Sequence, residues 1–585
     1  MSKQTINIGA SPNDGTGTPL RTSFDYTNQN FTEIYTALGG GVALPGATTQ
    51  VIFNDGGTNL AGDAGLVYNK TTDKLTVGTN IDISRGLLND GTSTGVGATA
   101  LAATTAGATG NTALGYQAMY RATTGASNVA IGNSPLSAAA MTGSNNVAIG
   151  VSPLNATTSG SSNIAIGNEA GQGVTTAAGN VFISTRSGKS ASAITGGDNV
   201  GIGGDTFRQL TTGNNNVGIG ASALNVVTIG TDNIALGQVA GSKITSGVQN
   251  IAIGINAMNG AQAIISNRNI GIGSQALFTD PVVGLSGSDN IAIGENSARG
   301  LTTGIANVFI GKSSGYTSNA ISGSNNVSIG TDTMRSLTSG ADNIASGRGS
   351  LNQLTSGSNN IASGVNALYG TTNGSNNTAI GNGSLQSCQV SDQTAFGAQA
   401  LQNLQTGTGN TAVGRSALSS VVANIQNTAL GYQAAKSLNS SDVTAVGYNA
   451  LVLATAGTGN TAVGSNAMAN GITTGNYNTA VGTGALSSVA GGGNNSCLGT
   501  NAGSNLVGGS FNICLGRDST TGAAGTSNEL TIGSATAGQY VATNGAATTY
   551  FPAGGPGAVP APANVLGFIR IRLNGTQVQL AIYPV

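Results

Sequence analysis

The chain has 585 residues, of which 94 are glycine, 4% are aromatic and 7% are charged; Trp and His are absent and the formal net charge is −1. Ordinary domains carry about 25% charged residues, disorder needs low hydrophobicity against this chain's 39%, and collagen needs Gly at every third position. Near-neutrality leaves no basic stripe for nucleic acid, and no run approaches the roughly 18 apolar residues of a membrane span.

The N-terminus reads MSKQTINIG, without the apolar core of a signal peptide. Residues 1–44 are read as a separate segment containing one helix. Within it Leu20, Phe24, Thr27, Phe31, Ile34 and Leu38 follow alternating steps of 4 and 3, the a/d seam of a coiled coil. Thr18 is the expected N-cap, Pro19 the first helical residue and Gly39 the stop. Such a short helix predicts several chains side by side, with Leu20, Phe24, Phe31, Ile34 and Leu38 as the seam. A lone amphipathic helix on a small core is the alternative.

Residues 45–92 form the next segment. Within it 49–83 predict short strands with turns at Asp55-Gly56-Gly57 and Thr72-Asp73.

From 93 to 533 the chain repeats one phrase, N-[V/I/T]-[A/G]-[I/L/V]-G. Counting from the first Asn slot as position 0, there are 25 copies between Asn111 and Glu529, with a degenerate one at Ser93. Most steps are 17 residues and the rest run from 16 to 21. The slot is Asn in all but Gln393, Val443 and Glu529. Positions 7 and 8 often read Ala-Leu or Ala-Met, and a Thr/Ser/Gly/Asn loop follows.

One such unit cannot bury its apolar face alone, whereas stacked units can. The fold class predicted is therefore all-β: a fibrous β-solenoid, or β-roll, of ~17-residue repeats. Successive coils lie about 4.8 Å apart, so 24 steps give roughly 115 Å. Asn111, Asn128, Asn146, Asn163, Asn216, Asn233 and Asn250 mark an expected ladder of side-chain amides. Positions 1 and 3 share one strand face, taken as the apolar face that stacking buries. The small residue at position 2 then predicts close packing of the other face against another chain. A trimer is the preferred solution, and the spacing alone leaves the number open.

Residues 534–585 end the chain. A Pro/Gly/Ala linker at 551–563 precedes a hairpin, with Ile569, Ile571 and Leu573 alternating with arginines, a turn at Asn574-Gly575, and Val578, Leu580 and Ile582 returning.

Chemistry is hard to place in this chain. Without His there is no Ser-His-Asp or Cys-His arrangement and no imidazole metal ligation. RSGKS (186–190) and GKS (311–313) lack the first Gly of a phosphate loop, with Ile183 and Ala306 in its place. The G-G-x-G-x-D calcium nonapeptide is missing. Asp198, Asp232, Asp289 and Asp342 each precede the slot, where other copies have Asn145, Asn215, Asn325 or Asn359. That exchange favours a turn residue over a carboxylate pair cutting polysaccharide. Cys497 and Cys514 occupy position 2 of adjacent copies, within disulfide reach in a stack. Assembly in cytoplasm favours the reduced state for them. Phe182 and Phe309, also at position 2, are read as gap fillers. The longest step, 269 to 290, contains FTDPVVGLSGSD (278–289), expected to loop outward. No enzyme activity, cofactor or metal is expected, and the receptor contact is unassigned.

Three stretches carry a resemblance. INIGASPNDGTGTPLRTSFDYTNQNFTEIY (6–35) resembles the N-terminal segment of many bacteriophage tail-fibre and related virion appendage proteins, and QVIFNDGGTNLAGDAGLVYNKTTDKLTVG (50–78) resembles a connector common in them. The phrase NTALGYQA, at 111–118 and 427–434, is similar to arrays in fibre shafts and in trimeric autotransporter adhesin heads. The segment after Gly533 is shorter than the self-cleaving chaperone domain that ends many such fibres, and its hairpin is similar to short β-ends of other phage fibres. The resemblance implies a homotrimeric structural protein of a virion, assembled in host cytoplasm. Its N-terminal end would sit against other virion proteins, and its shaft would project for attachment to a host-surface receptor. A bacterial trimeric surface adhesin is the main alternative, disfavoured by the missing signal peptide and anchor. A polysaccharide-depolymerising tailspike is the third reading.

Overall fold

The structure is a computed structural model. It describes residues 48–54, 60–69, 74–77, 81–84, 92–102, 107–138, 140–279, 284–534, 538–543, 549–551, 567–573 and 576–582, with side chains described within 92–534. These residues form an all-β protein built from a parallel solenoid of about 25 turns with repeats of ~17 residues. No helix occurs among the described residues, and the predicted seam residues Leu20, Phe24, Phe31, Ile34 and Leu38 lie outside them. The chain divides into two compact units, 1–229 and 230–585.

The first unit opens with an antiparallel meander: β1 (Thr48–Asn54), β2 (Leu60–Asn69), β3 (Lys74–Val77) and β4 (Ile81–Ser84). The predicted short strands of 49–83 are present, while the two predicted turns lie outside the described residues. β4 pairs antiparallel with β5 (Thr94–Val96), and β5 then pairs in parallel with Thr112–Leu114. The degenerate copy at Ser93 is thus the first rung of the stack. Parallel rungs continue to Val217–Ile219 in strict register, for example Val129↔Val147, Ala130↔Ala148 and Ile131↔Ile149. Equal spelling of successive copies forces this register, because a slip by one residue would exchange the two faces of every strand.

The second unit stacks parallel rungs from Ile234–Leu236 to Glu529–Ser534. There the chain reverses into the antiparallel strands Gly538–Thr543 and Thr549–Phe551, which the sequence reading left unassigned. Gly567–Leu573 and Thr576–Ile582 form their own two-stranded antiparallel sheet, pairing Ile569 with Leu580 and Ile571 with Val578. This is the hairpin expected from the alternation; its turn residues lie outside the described ones.

One expectation is overturned. Position 2 is the interior position, and positions 1 and 3 face outward. Ala130, Ala148 and Ala165 in the first unit, and Ala252, Ala292 and Ala362 in the second, are fully buried. Their neighbours Ile164 and Ile166 are 36% exposed, Ile293 37% and Ile361 40%. The reason is volume. The interior behind each strand is already filled by position 8, as with Leu136, Leu154, Leu368 and Leu401, and by the slot Asn. Only a small side chain fits between them. The exceptions show the same rule. Where position 2 is Phe182 or Phe309, position 8 is Gly188 or Gly315, and a Cβ on Gly188 would lie 2.6 Å from the Phe182 ring. Phe182 also meets Phe207 edge-on at 6.1 Å.

The remaining sides of each coil hydrogen-bond to the next one too. In the first unit Leu136 N donates to Pro153 O at 3.1 Å, and Asn145 N to Ala126 O at 2.9 Å. Position 4 glycine serves two needs at once. Gly132 has φ +127°, and a Cβ there would overlap Gly150 O of the next coil. Ser184 alone among the copies replaces this glycine, at φ 107°.

Candidate functional site

Two features run along the described coils of each unit and are built by the repeat itself: an internal amide ladder and an external, largely apolar stripe.

The ladder occupies position 0. In the first unit Asn128 donates its backbone N–H and its Nδ2 to Asn111 Oδ1, at 2.9 and 3.1 Å, and its Nδ2 again to Gly143 O at 3.0 Å. Asn146 does the same toward Asn128, and Asn163 toward Asn146. Asn216 bonds Asn199 Oδ1 through both its nitrogens. In the second unit Asn250 donates to Asn233 Oδ1 at 3.0 and 3.1 Å. All these asparagines are fully buried. Each carboxamide therefore replaces the water it loses with partners inside the stack, which is the condition for burying an amide at low cost.

Three slots depart from Asn, and each shows what the ladder needs. Gln393 reaches far enough to keep it: Asn410 Nδ2 donates to its Oε1 at 3.1 Å. Glu529 accepts the Gly522 N–H with both carboxylate oxygens, at 3.1 and 3.0 Å; burial pushes its carboxyl above the usual range, with the Gly522 bonds opposing. Val443 keeps only the backbone donation, its N–H to Asn427 Oδ1 at 3.0 Å, and has no amide to offer Asn460. Val443→Asn is expected to restore the interrupted ladder and to stabilise the second unit by about 1 kcal/mol. A higher urea midpoint at unchanged slope is the readout; an unchanged or lower midpoint would show that the amide chain contributes nothing there.

The stripe occupies positions 1 and 3. Val and Ile hold position 1 from Val129 to Val217 in the first unit and from Ile234 to Ile361 in the second; Thr then holds it from Thr378 to Thr479. Position 3 stays apolar except at Ser346 and Ser363. Monomeric proteins rarely expose contiguous apolar patches beyond a few hundred Å², and a row of half-exposed Ile and Val repeating about every 4.8 Å exceeds that within a few coils.

The acidic residues before the slot are turn residues. Asp198, Asp232, Asp289 and Asp342 have φ between 57° and 64°, a left-handed conformation that Asn and Asp tolerate best. Asp289 is taken up by Arg268, whose Nε lies 2.6 Å from its Oδ1; the Arg268 guanidinium holds that carboxyl below the usual range. Asp205 is bracketed by Arg186 and Arg208, each at 2.8 Å, and Arg186 lowers it in the same way. These exposed pairs tie coils together at little net gain. Among the described residues no group of three or more Cys, Asp or Glu is placed to hold a metal ion, and no helix is long and apolar enough to cross a membrane.

The long step at 269–290 corrects another expectation. Thr279 and Leu285 are buried, so FTDPVVGLSGSD is partly packed into the coil rather than wholly outward; residues 280–283 lie outside the described ones. Phe182 and Phe309 are buried fillers. The sequence reading passed over Tyr432 and Tyr448, exposed and stacked with ring centroids 5.4 Å apart and planes at 10°. Their signal was present: both stand at position 5 of adjacent copies.

Comparisons with protein-family models, with curated proteins and with solved structures find no match for the chain.

Proposed function

We propose that the protein is a structural fibre of a phage virion, a tail fibre or related appendage, assembled from three copies and projecting from the particle toward the host surface. The observation that carries this reading is the outward stripe of positions 1 and 3. A face of this kind calls for a partner along every coil. Further copies of the same chain supply one in matching register, because each rung offers the same two side chains at the same height. A cyclic assembly with its axis along the coils brings identical stripes together and keeps all N-termini at one end. The likeness of NTALGYQA to trimeric heads sets the number at three, and the likeness of residues 6–35 and 50–78 to virion-proximal segments sets which end is attached. The segments then serve as an attachment segment at 1–44, a connector at 45–92, a shaft at 93–533 and a tip at 534–585.

The work done in this reading is mechanical. Within each unit successive coils are bonded by strand and loop and, at most rungs, by the ladder, so bending a unit requires many bonds to yield together, and in this reading the tip is held at a fixed reach. Sedimentation of the full-length protein is expected to give three times the chain mass with a high frictional ratio. Gold label at the N-terminus is expected at the particle surface in electron micrographs of intact virions. A compact monomer, or label found away from particles, would overturn the reading.

A further inference from the structure

We propose that Cys497 and Cys514 form a modification site: they enter the folded stack as thiols and close an internal disulfide when the protein meets a disulfide oxidant. The two residues are direct partners in neighbouring parallel strands, Ser496–Leu498 and Ile513–Leu515, with Cys497↔Cys514 in register. Strand spacing puts their Cα atoms about 4.8 Å apart, inside the range that disulfides span. Both side chains point into the coil, 1% and 0% exposed. Both are free thiols in this structure.

Space for the bond is set by a third residue. Position 8 of this copy is Gly503, where the two preceding copies carry the buried Leu486 and Met468. A Cβ on Gly503 would lie 2.6 Å from Cys497 Sγ and 3.5 Å from Cys514 Sγ. The two sulfurs therefore lie together over the Cα of Gly503, beside Leu486 Cδ2, where any larger residue would crowd them. At Gly188 and Gly315 the missing side chain makes room for a phenylalanine ring; here it makes room for two sulfur atoms. The third cysteine, Cys388, is buried in a different part of the coil, where its Sγ lies 3.4 Å from Val390 O. Burial raises that thiol to about 11 and keeps it inert.

The thiols are inequivalent. Cys514 is held below the usual thiol range by its hydrogen bond with Cys497, and Cys497 is pushed up by that same contact and by burial. Cys514 is accordingly the attacking thiolate. Against oxidised glutathione, Cys514 loses its proton to solvent and its thiolate displaces one glutathione thiolate, giving a mixed disulfide. Cys497 then loses its proton, attacks the Cys514 sulfur and displaces the second glutathione. Two protein thiols are oxidised and one glutathione disulfide is reduced to two thiols. Access comes from transient opening of the coils near the end of the stack.

The test oxidises the full-length protein and a Cys388→Ser variant with oxidised glutathione, then denatures each and labels free thiols. The expected result is one labelled thiol in the wild type and none in Cys388→Ser, a mass lower by two hydrogens, and a cross-linked peptide joining Cys497 to Cys514. Amides of the two bridged strands should exchange about a hundredfold more slowly, the effect of closing a loop of this length. Three labelled thiols after oxidation, a persistent glutathione adduct, or a bond involving Cys388 would each overturn the proposal. Should Cys388→Ser fail to fold, the wild-type thiol count and peptide map decide the question alone.

Discussion

Changing Ile293 and Ile329 together to glutamate is expected to separate the assembled protein into single chains without unfolding the coils. Both stand at position 3 of the second unit, 37% and 43% exposed, on the outward face of their strands. Neither fills the interior, which at these rungs is occupied by Ala292 and Ser328. A glutamate at either site can extend into water in a lone chain and keeps the backbone ladder. In an assembly that buries the stripe it brings like charges from each copy together in a desolvated seam, at a cost of several kcal/mol. The association constant is expected to fall by at least about a thousandfold. Sedimentation should report the single-chain mass while the far-ultraviolet strand signal and its thermal midpoint stay near those of the wild type. An Ile293→Val, Ile329→Val variant should remain assembled. If the glutamate variant stays assembled, the stripe is not the seam; if it unfolds, the stripe belongs to the core and the outward placement is wrong.

Gly132→Ala is expected to be among the most damaging single substitutions in the first unit. Two costs coincide at this position. Its φ of +127° is a region that alanine enters at about 1–3 kcal/mol. The added methyl would also overlap Gly150 O, so the coils must part at a point where Ser152 N donates to Asn133 O and Val129 N to Asn146 O close by. A loss of about 4 kcal/mol or more is expected in urea denaturation, enough to leave a coil stack of ordinary stability partly open. Gly107→Ala supplies the control, since its φ is +106° and nothing lies within 4 Å of the added methyl. It should cost only the conformational share. Equal losses for the two variants would show that the close approach between coils contributes nothing.

Repetition made much of this architecture legible. Equal phrases at nearly equal steps announce parallel, in-register strands, and a fixed Asn in an apolar phrase announces an amide satisfied by its own copies. The side of the strand that faces inward was misjudged, and the reason is physical. Alternation separates two faces but does not say which one is enclosed. Ile and Val look like core residues beside Ala, yet a coil of about 17 residues has room on this wall only for a small side chain such as Ala or Ser, once Leu or Met at position 8 and the Asn are inside. The clue was in the exceptions, Phe182 with Gly188 and Phe309 with Gly315, where one volume rises as the other falls. The burial of Leu285 in the longest step could not be foreseen from composition, because an insertion joins the interior only where its backbone meets a neighbouring coil. The stacked pair Tyr432 and Tyr448 follows from the period once adjacent copies are aligned. What the outer face recognises is not written in the period, since outward loops are the one part of the phrase that each copy spells differently.

The slot asparagine has a further consequence for how such a gene can change. Within each unit a laddered Asn accepts from the copy after it and donates to the copy before it, so most coils offer the same socket and carry the same plug. Duplication or loss of one whole copy leaves two matching ends, with no side chain stranded at the joint. Unequal recombination between copies can therefore lengthen or shorten the array in quantised steps, and selection can tune reach while the slot contacts are kept.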